Sequence, residues 1–280
     1  MNIQKAIKVA NQKLKKNDIF SYKLDSEILI SNVLKQKRDY VILNSNKNLS
    51  ASEIANFKKL INERSKGKPI SYLTGKKEFW KYEFEIAEGV LIPRPDTEII
   101  IEQVLKFSKN KSKLNILEVG IGSGCILLSI LKEKKDFYGI GIDISKKCVD
   151  MSRINSKKLD VYERVKFFKT DVDNFNRGKY DLIISNPPYI KKLDLKYLEK
   201  DIINFEPKIA LDGGLEGISE IRKVINKSSE LIKIGGKLIL EIAFDQKKEV
   251  LKLLKNKGFY INKVLKDLAK NDRCIISTKI

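Results

Sequence analysis

The stretch Asn186-Pro187-Pro188-Tyr189 follows a strand-like run over residues 180–185 that holds Leu182, Ile183 and Ile184. Two prolines cannot continue a sheet ladder, because each lacks the N–H and has a fixed φ. A residue before proline is pushed towards an extended conformation, so Asn186 and Pro187 are both expected to be extended. Backbone carbonyls then point outward with no donor inside the segment. Beside them stand the Asn186 carboxamide, with an acceptor oxygen and two donor hydrogens, and the flat face of Tyr189. Such a group can grip a planar NH2-bearing partner of the amide or exocyclic-amine type, with two acceptors for its N–H bonds and a ring to stack on. The same residues also read as a plain turn leaving a strand, since Asn-Pro and Pro-Pro pairs are common turn formers.

A second chemical feature lies upstream. The apolar run Asn115-Ile116-Leu117-Glu118-Val119 enters Gly120-Ile121-Gly122-Ser123-Gly124 and then an apolar helix over 125–131. Strand, glycine turn and helix in this order make a nucleotide-type cradle, where glycines let a ligand approach the backbone at a helix N-terminus. The spacing differs from the dinucleotide pattern, and Glu118 stands two residues before the first glycine. A negative charge there repels a pyrophosphate and suits a cationic ligand such as S-adenosylmethionine. The next strand, 138–142, ends in Asp143, 23 residues after Gly120. An acid at that spacing takes ribose hydroxyls; the alternative is an N-cap for the helix over 145–159. A third strand, 165–168, ends near Asp171, which would flank an adenine. All four places lie at the C-terminal ends of successive strands, where open α/β sheets bind ligands.

These elements need a frame. Residues 2–66 carry apolar positions at helical spacing, among them Ile3, Ala6, Ile7, Ala10 and Leu14, and Ser50 with Glu53 forms a capping-box signature. Phe79, Trp80, Tyr82, Phe84 and Ile86, then Val90-Leu91-Ile92, shift the period towards two and predict a β-hairpin. Pro93-Arg94-Pro95 makes a rigid elbow, and Asp96 is the expected N-cap of a helix over 97–107. After the Asn-Pro-Pro-Tyr stop come helices over 217–231 and 245–256 and strands over 237–242, 259–265 and 274–278. The chain is thus expected to comprise a helical docking domain (1–68), a β-hairpin linker (69–95) and an α/β domain (96–280) with a seven-stranded mixed sheet.

Composition narrows the options. The net charge is +20, yet only eight of the 56 basic residues are arginine, the side chain preferred for bidentate readout of guanine or phosphate. Histidine is absent, which removes the commonest general base and metal ligand. Three widely spaced cysteines, Cys125, Cys148 and Cys274, form neither a disulfide framework nor a zinc spacing. No apolar run is long enough to span a bilayer and no secretory signal stands at residues 1–16. The expectation is a cytoplasmic monomer with no metal, no membrane association and no stable nucleic-acid partner.

The residues resemble those of the HemK-type protein-(glutamine-N5) methyltransferases that modify peptide chain release factors. The likeness rests on Pro69-Ile70-Ser71-Tyr72-Leu73-Thr74-Gly75, Glu78-Phe79, and Leu91-Ile92-Pro93-Arg94-Pro95-Asp96-Thr97-Glu98. It continues through the Gly120–Gly124 loop, Asn186–Tyr189, Glu206-Pro207, Gly213-Gly214, Glu241 with Gln246, and Lys266-Asp267-Leu268-Ala269 with Asp272-Arg273. All six prolines fall inside these segments. The resemblance implies a Rossmann-like class I S-adenosylmethionine-dependent methyltransferase domain, with S-adenosylhomocysteine as product and class 1 release factors as protein substrate. It implies Asn186, Pro187 and Tyr189 as catalytic residues, with Pro188 joining them in substrate binding. The cofactor would be bound by Glu118, Gly120, Ile121, Gly122, Ser123, Gly124, Asp143, Asp171, Val172 and Asn186. The family usually has Asp, Thr and an aromatic residue where this chain has Glu118, Ile121 and Val172. An adenine-N6 methyltransferase acting on DNA or RNA is the alternative that the glycine loop and Asn-Pro-Pro-Tyr also fit.

Overall fold

The structure, a computed structural model, describes all 280 residues. It divides into two compact units, Met1–Lys76 with Glu199–Phe205, and Lys77–Leu198 with Glu206–Ile280. In the first unit, α1 (Ile3–Lys16) buries Ile3, Ala6, Ala10 and Leu14 along one stripe, and Asn2 Oδ1 accepts from Lys5 N to cap it. Helix α2 (Tyr22–Leu34) and the short α3 (Arg38–Leu43) lead to α4 (Ala51–Ser65), where both halves of the Ser50–Glu53 capping box are made. Helix α5 (Ile70–Thr74) follows Pro69 inside a stretch whose pattern predicts strand. The centre of this unit holds a cation. Arg64, 8% exposed, donates to Asp25 (2.7 Å), Asp201 (2.9 Å) and the carbonyls of Gly67 and Lys68. A guanidinium so desolvated persists only because its donors are met.

In the second unit β1 (Lys76–Phe79) and β2 (Tyr82–Glu85) pair as a hairpin. Val90-Leu91-Ile92 forms no strand; the chain there runs irregularly into Pro93. Asp96 does not cap the next helix. A 3-10 turn over Pro95–Thr97 precedes α6 (Glu98–Phe107), and no side chain caps that helix. The chain then alternates β3 (Asn115–Val119), α7 (Cys125–Glu133), β4 (Tyr138–Asp143), α8 (Lys146–Lys158), β5 (Val165–Lys169) and β6 (Tyr180–Ser185). After the short α9 (Lys200–Phe205), which belongs to the first unit, come α10 (Ser219–Leu231), β7 (Ile232–Glu241), α11 (Lys247–Asn256), β8 (Phe259–Lys266) and β9 (Asp272–Lys279). Strand β7 starts five residues before its expected position, across a break in its register with β6.

The seven-stranded sheet has the order β5-β4-β3-β6-β7-β9-β8, parallel except for β9, which runs antiparallel to both its neighbours. From β3 the chain moves outward through β4 and β5, then returns to place β6 on the other side of β3. That reversal is the topological switch where open α/β sheets leave a crevice at the strand ends. Apolar clusters cover both faces, one including Ile116, Leu127, Leu128 and Ile184, the other Leu117, Ile183, Ile225 and Leu240.

Candidate active site

The parallel registers bring four strand ends side by side. Val119 pairs with Ser185 and with Ile142, and Asp143 pairs with Lys169. Gly120, Asn186, Asp143 and Thr170-Asp171 therefore line one edge. They frame a cavity of about 450 Å³ whose wall also includes Leu91, Ile144, Cys148, Val172, Pro187 and Pro188. This volume is in the range of small-molecule and cofactor sites.

At one end the wall is backbone. Gly120 (φ +75°) and Gly122 (φ +55°) hold left-handed conformations, and a Cβ on either would meet no protein atom within 4 Å. The loop is tied down from beneath. Gly120 N and Ile121 N both donate to Ile142 O, and Gly122 N donates to Asp143 Oδ2 (3.0 Å). Asp143 Oδ1 accepts from Ser145 N (2.8 Å), while Ser145 itself caps α8. Asp143 is thus a clamp between the glycine loop and α8, with lone pairs left for a ligand. Burial pushes its pKa up, and the Ser145 and Gly122 amides counter that. Asp171 Oδ1 accepts from Asp173 N (2.9 Å). Val172 lies in the cavity wall, with no aromatic ring anywhere in that wall.

Several expected cofactor residues support the cradle without facing the cavity. Glu118, 1% exposed, turns its Oε2 to Leu127 N (2.9 Å) in the first turn of α7. Burial holds its carboxyl well above the usual range, partly offset by that amide, and the nearby Asp143 adds to the rise. It therefore stabilises a helix start rather than lining the ligand space. Ile121 packs over Gly141, whose missing side chain makes the room. Ser123 and Gly124 are likewise absent from the wall.

At the other end the wall is built from side chains. Asn186 Nδ2 donates to Thr97 Oγ1 (3.2 Å), Thr97 Oγ1 donates to Glu241 Oε2 (2.7 Å), and the Tyr189 hydroxyl donates to Glu241 Oε1 (3.2 Å). No group of the chain donates to Asn186 Oδ1 or to the Pro187 carbonyl. Tyr189 is not part of the cavity wall; its hydroxyl is turned to Glu241. Further bonds hold the prolines' exit. Gln246, 3% exposed, donates to both Tyr189 O and Gly217 O at 2.9 Å and accepts from Ala243 N. Ser185 Oγ donates to Val119 O (2.8 Å). The elbow before α6 is pinned by Arg94, which pairs with the buried Glu206 and donates to Ile92 O. Sequence reasoning gave Thr97 and Glu241 no role. The available signal was Glu241 itself, an acid ending the apolar strand Leu238-Ile239-Leu240.

Sheet and switch-point crevice define a class I methyltransferase fold, and the solved structure of ribosomal protein L11 methylase from Lactobacillus delbrueckii subsp. bulgaricus shares it. That likeness has a TM-score of 0.50 at 17% identity, over 72% of this chain and 89% of that one. Two family profiles match: the PrmC N-terminal domain over residues 5–75 and the methyltransferase small domain over residues 96–263. The release factor glutamine methyltransferase of Clostridium acetobutylicum is 37% identical over 282 residues, covering all of this chain and 99% of that protein. That of Buchnera aphidicola is 37% identical over 279 residues with the same coverage. A bifunctional methyltransferase of Rickettsia conorii is 33% identical, and this chain spans 58% of its length. The chain belongs to the release factor glutamine methyltransferase family and is an S-adenosylmethionine-dependent methyltransferase.

The cavity fits that cofactor. The two glycine positions are open to the cavity, Asp143 would offer acceptors to hydroxyl groups, and Ile144, Cys148 and Val172 would offer an apolar wall to a flat base.

Proposed function

We propose that the chain methylates the side-chain N5 of the glutamine in the Gly-Gly-Gln motif of class 1 peptide chain release factors, acting in the cytoplasm. Bound S-adenosylmethionine supplies an electrophilic methyl group. Gly120, Gly122, Asp143, Asp171 and Val172 would hold it, and Asn186, Pro187 and Pro188 would hold the glutamine. The observation that carries the reading is the pair of unused acceptors, Asn186 Oδ1 and the Pro187 carbonyl, at a cavity edge shared with the glycine loop.

A carboxamide nitrogen is a poor nucleophile because its lone pair is delocalised. No strong base is needed beforehand, since the N–H proton leaves readily once the nitrogen is alkylated. The chain's task is positioning and dipole alignment, which a protein without histidine can perform. Asn186 Oδ1 and Pro187 O accept the two amide hydrogens and aim the nitrogen. Tyr189, held through Glu241, stiffens the exit of the loop.

Labelled S-adenosylmethionine offered with a release factor and, separately, with nucleic acid tests this. Label on the Gly-Gly-Gln glutamine, located by peptide mass spectrometry, is expected. Label on adenine with the release factor untouched would contradict it.

A further inference from the structure

Thr97 and Glu241 stand behind the cavity wall, 3% and 2% exposed, and neither lines the cavity. We propose that they are positioning residues, which fix the rotation of the Asn186 carboxamide so that its oxygen, not its NH2, faces the acceptor. The inference rests on the proposed transfer to a carboxamide.

An ionised carboxylate only accepts. Thr97 has a single proton, and at 2.7 Å its bond to Glu241 has the length of a charge-assisted O–H···O⁻ contact. The hydroxyl is left with lone pairs alone, so Asn186 can meet it only with its NH2 group. Oδ1 is then on the far side of the carboxamide, free to accept. Tyr189 donates its own proton to the second oxygen of Glu241, so one carboxylate sets the direction at both Asn186 and Tyr189. Without this anchor the carboxamide can turn over and present hydrogens to the hydrogens of the incoming amide.

Protonation of Glu241 should have the same effect, since a neutral carboxyl can donate to Thr97 and release the hydroxyl proton towards Asn186. The groups facing Glu241 are Asp96 and Thr97 before α6, Tyr189 after β6, Arg273 and Cys274 on β9, and Cys125 on α7. Burial pushes its carboxyl up to about 7, against the bonds from Thr97 and Tyr189 and the charge of Arg273. Turnover should therefore fall as pH drops through about 7, with no histidine to produce that limb.

The test is kcat against pH at saturating S-adenosylmethionine and release factor, with calorimetric cofactor affinity, for the parent, Thr97→Val, Thr97→Ser and Glu241→Gln. Thr97→Val should lower kcat roughly tenfold to hundredfold, the cost of a misdirected buried hydrogen bond, with cofactor affinity unchanged within about threefold. Thr97→Ser should recover most of that loss, and Glu241→Gln should lack the limb near neutral pH. The proposal is overturned if Thr97→Val stays within roughly threefold of the parent, if Thr97→Ser is as slow as Thr97→Val, or if the limb persists in Glu241→Gln. Should Thr97→Val not fold, the near-isosteric Glu241→Gln and its pH profile decide alone. A parent that leaves the release factor unmethylated overturns the functional reading and this inference together; an active parent whose variants match it overturns only the inference.

Discussion

The glycine-loop end and the Asn186 end of the cavity belong to adjacent strands, β3 and β6, yet they are made differently. Around Gly120 and Gly122 the shape comes from the backbone, and the nearby carboxylates Asp143 and Glu118 are engaged by amides of the loop and of α7 and α8. Around Asn186 the shape comes from side chains passing direction from one to the next, with Thr97 and Glu241 drawn from elements 144 residues apart. A backbone cradle tolerates changes in the side chains around it, so conservative replacement of Glu118 or Ile121, which stand outside the cavity wall, should cost little. A relay of side chains tolerates little, because each member sets the orientation of the next.

This contrast predicts which property each substitution moves. The largest effect belongs to Asn186→Ala, which removes a preorganised acceptor. It should cut turnover about 100- to 1,000-fold while cofactor affinity by calorimetry stays within roughly threefold. Gly122→Val should do the reverse. A β-branched residue at φ +55° is strained and fills the ligand space, so the cofactor Kd should rise about 10- to 100-fold, with kcat at saturation far less affected. Gln246→Leu leaves the Tyr189 and Gly217 carbonyls without their donor. It should cost about 1–3 kcal/mol in urea unfolding and slow turnover more than it weakens cofactor binding. Glu118→Asp should be the mildest, because the residue caps α7 rather than lining the cavity; a shift in cofactor Kd above about threefold, near 0.7 kcal/mol, would blur the distinction between the two ends.

The local motifs were readable from sequence because their meaning is local. Gly120-Ile121-Gly122, Asp143, Asp171 and Asn186-Pro187-Pro188 each end a strand whose apolar run announces it, and strand ends converge in any open α/β sheet. Adjacency of β3 and β6 was not readable, since nothing in either strand states its neighbour. Thr97 escaped notice because its hydroxyl serves a strand end 144 residues away, and the 3-10 turn that Pro95 begins withdraws Asp96 from the capping role its spacing suggests. Val90-Leu91-Ile92 looks like a strand by composition, but the chain there forms none and Leu91 lines the cavity instead. Helices α3 and α5 span six and five residues, too few for a 3.6-residue period to stand out.

A crystal structure with S-adenosylhomocysteine bound tests the two-ended cavity most directly. The adenosine should lie against Asp143, Asp171 and Val172, and the sulfur should sit at the Asn186 end, with Oδ1 facing it and Nδ2 still on Thr97. A product bound in the opposite sense, or an Asn186 oxygen turned back to Thr97, would contradict the account.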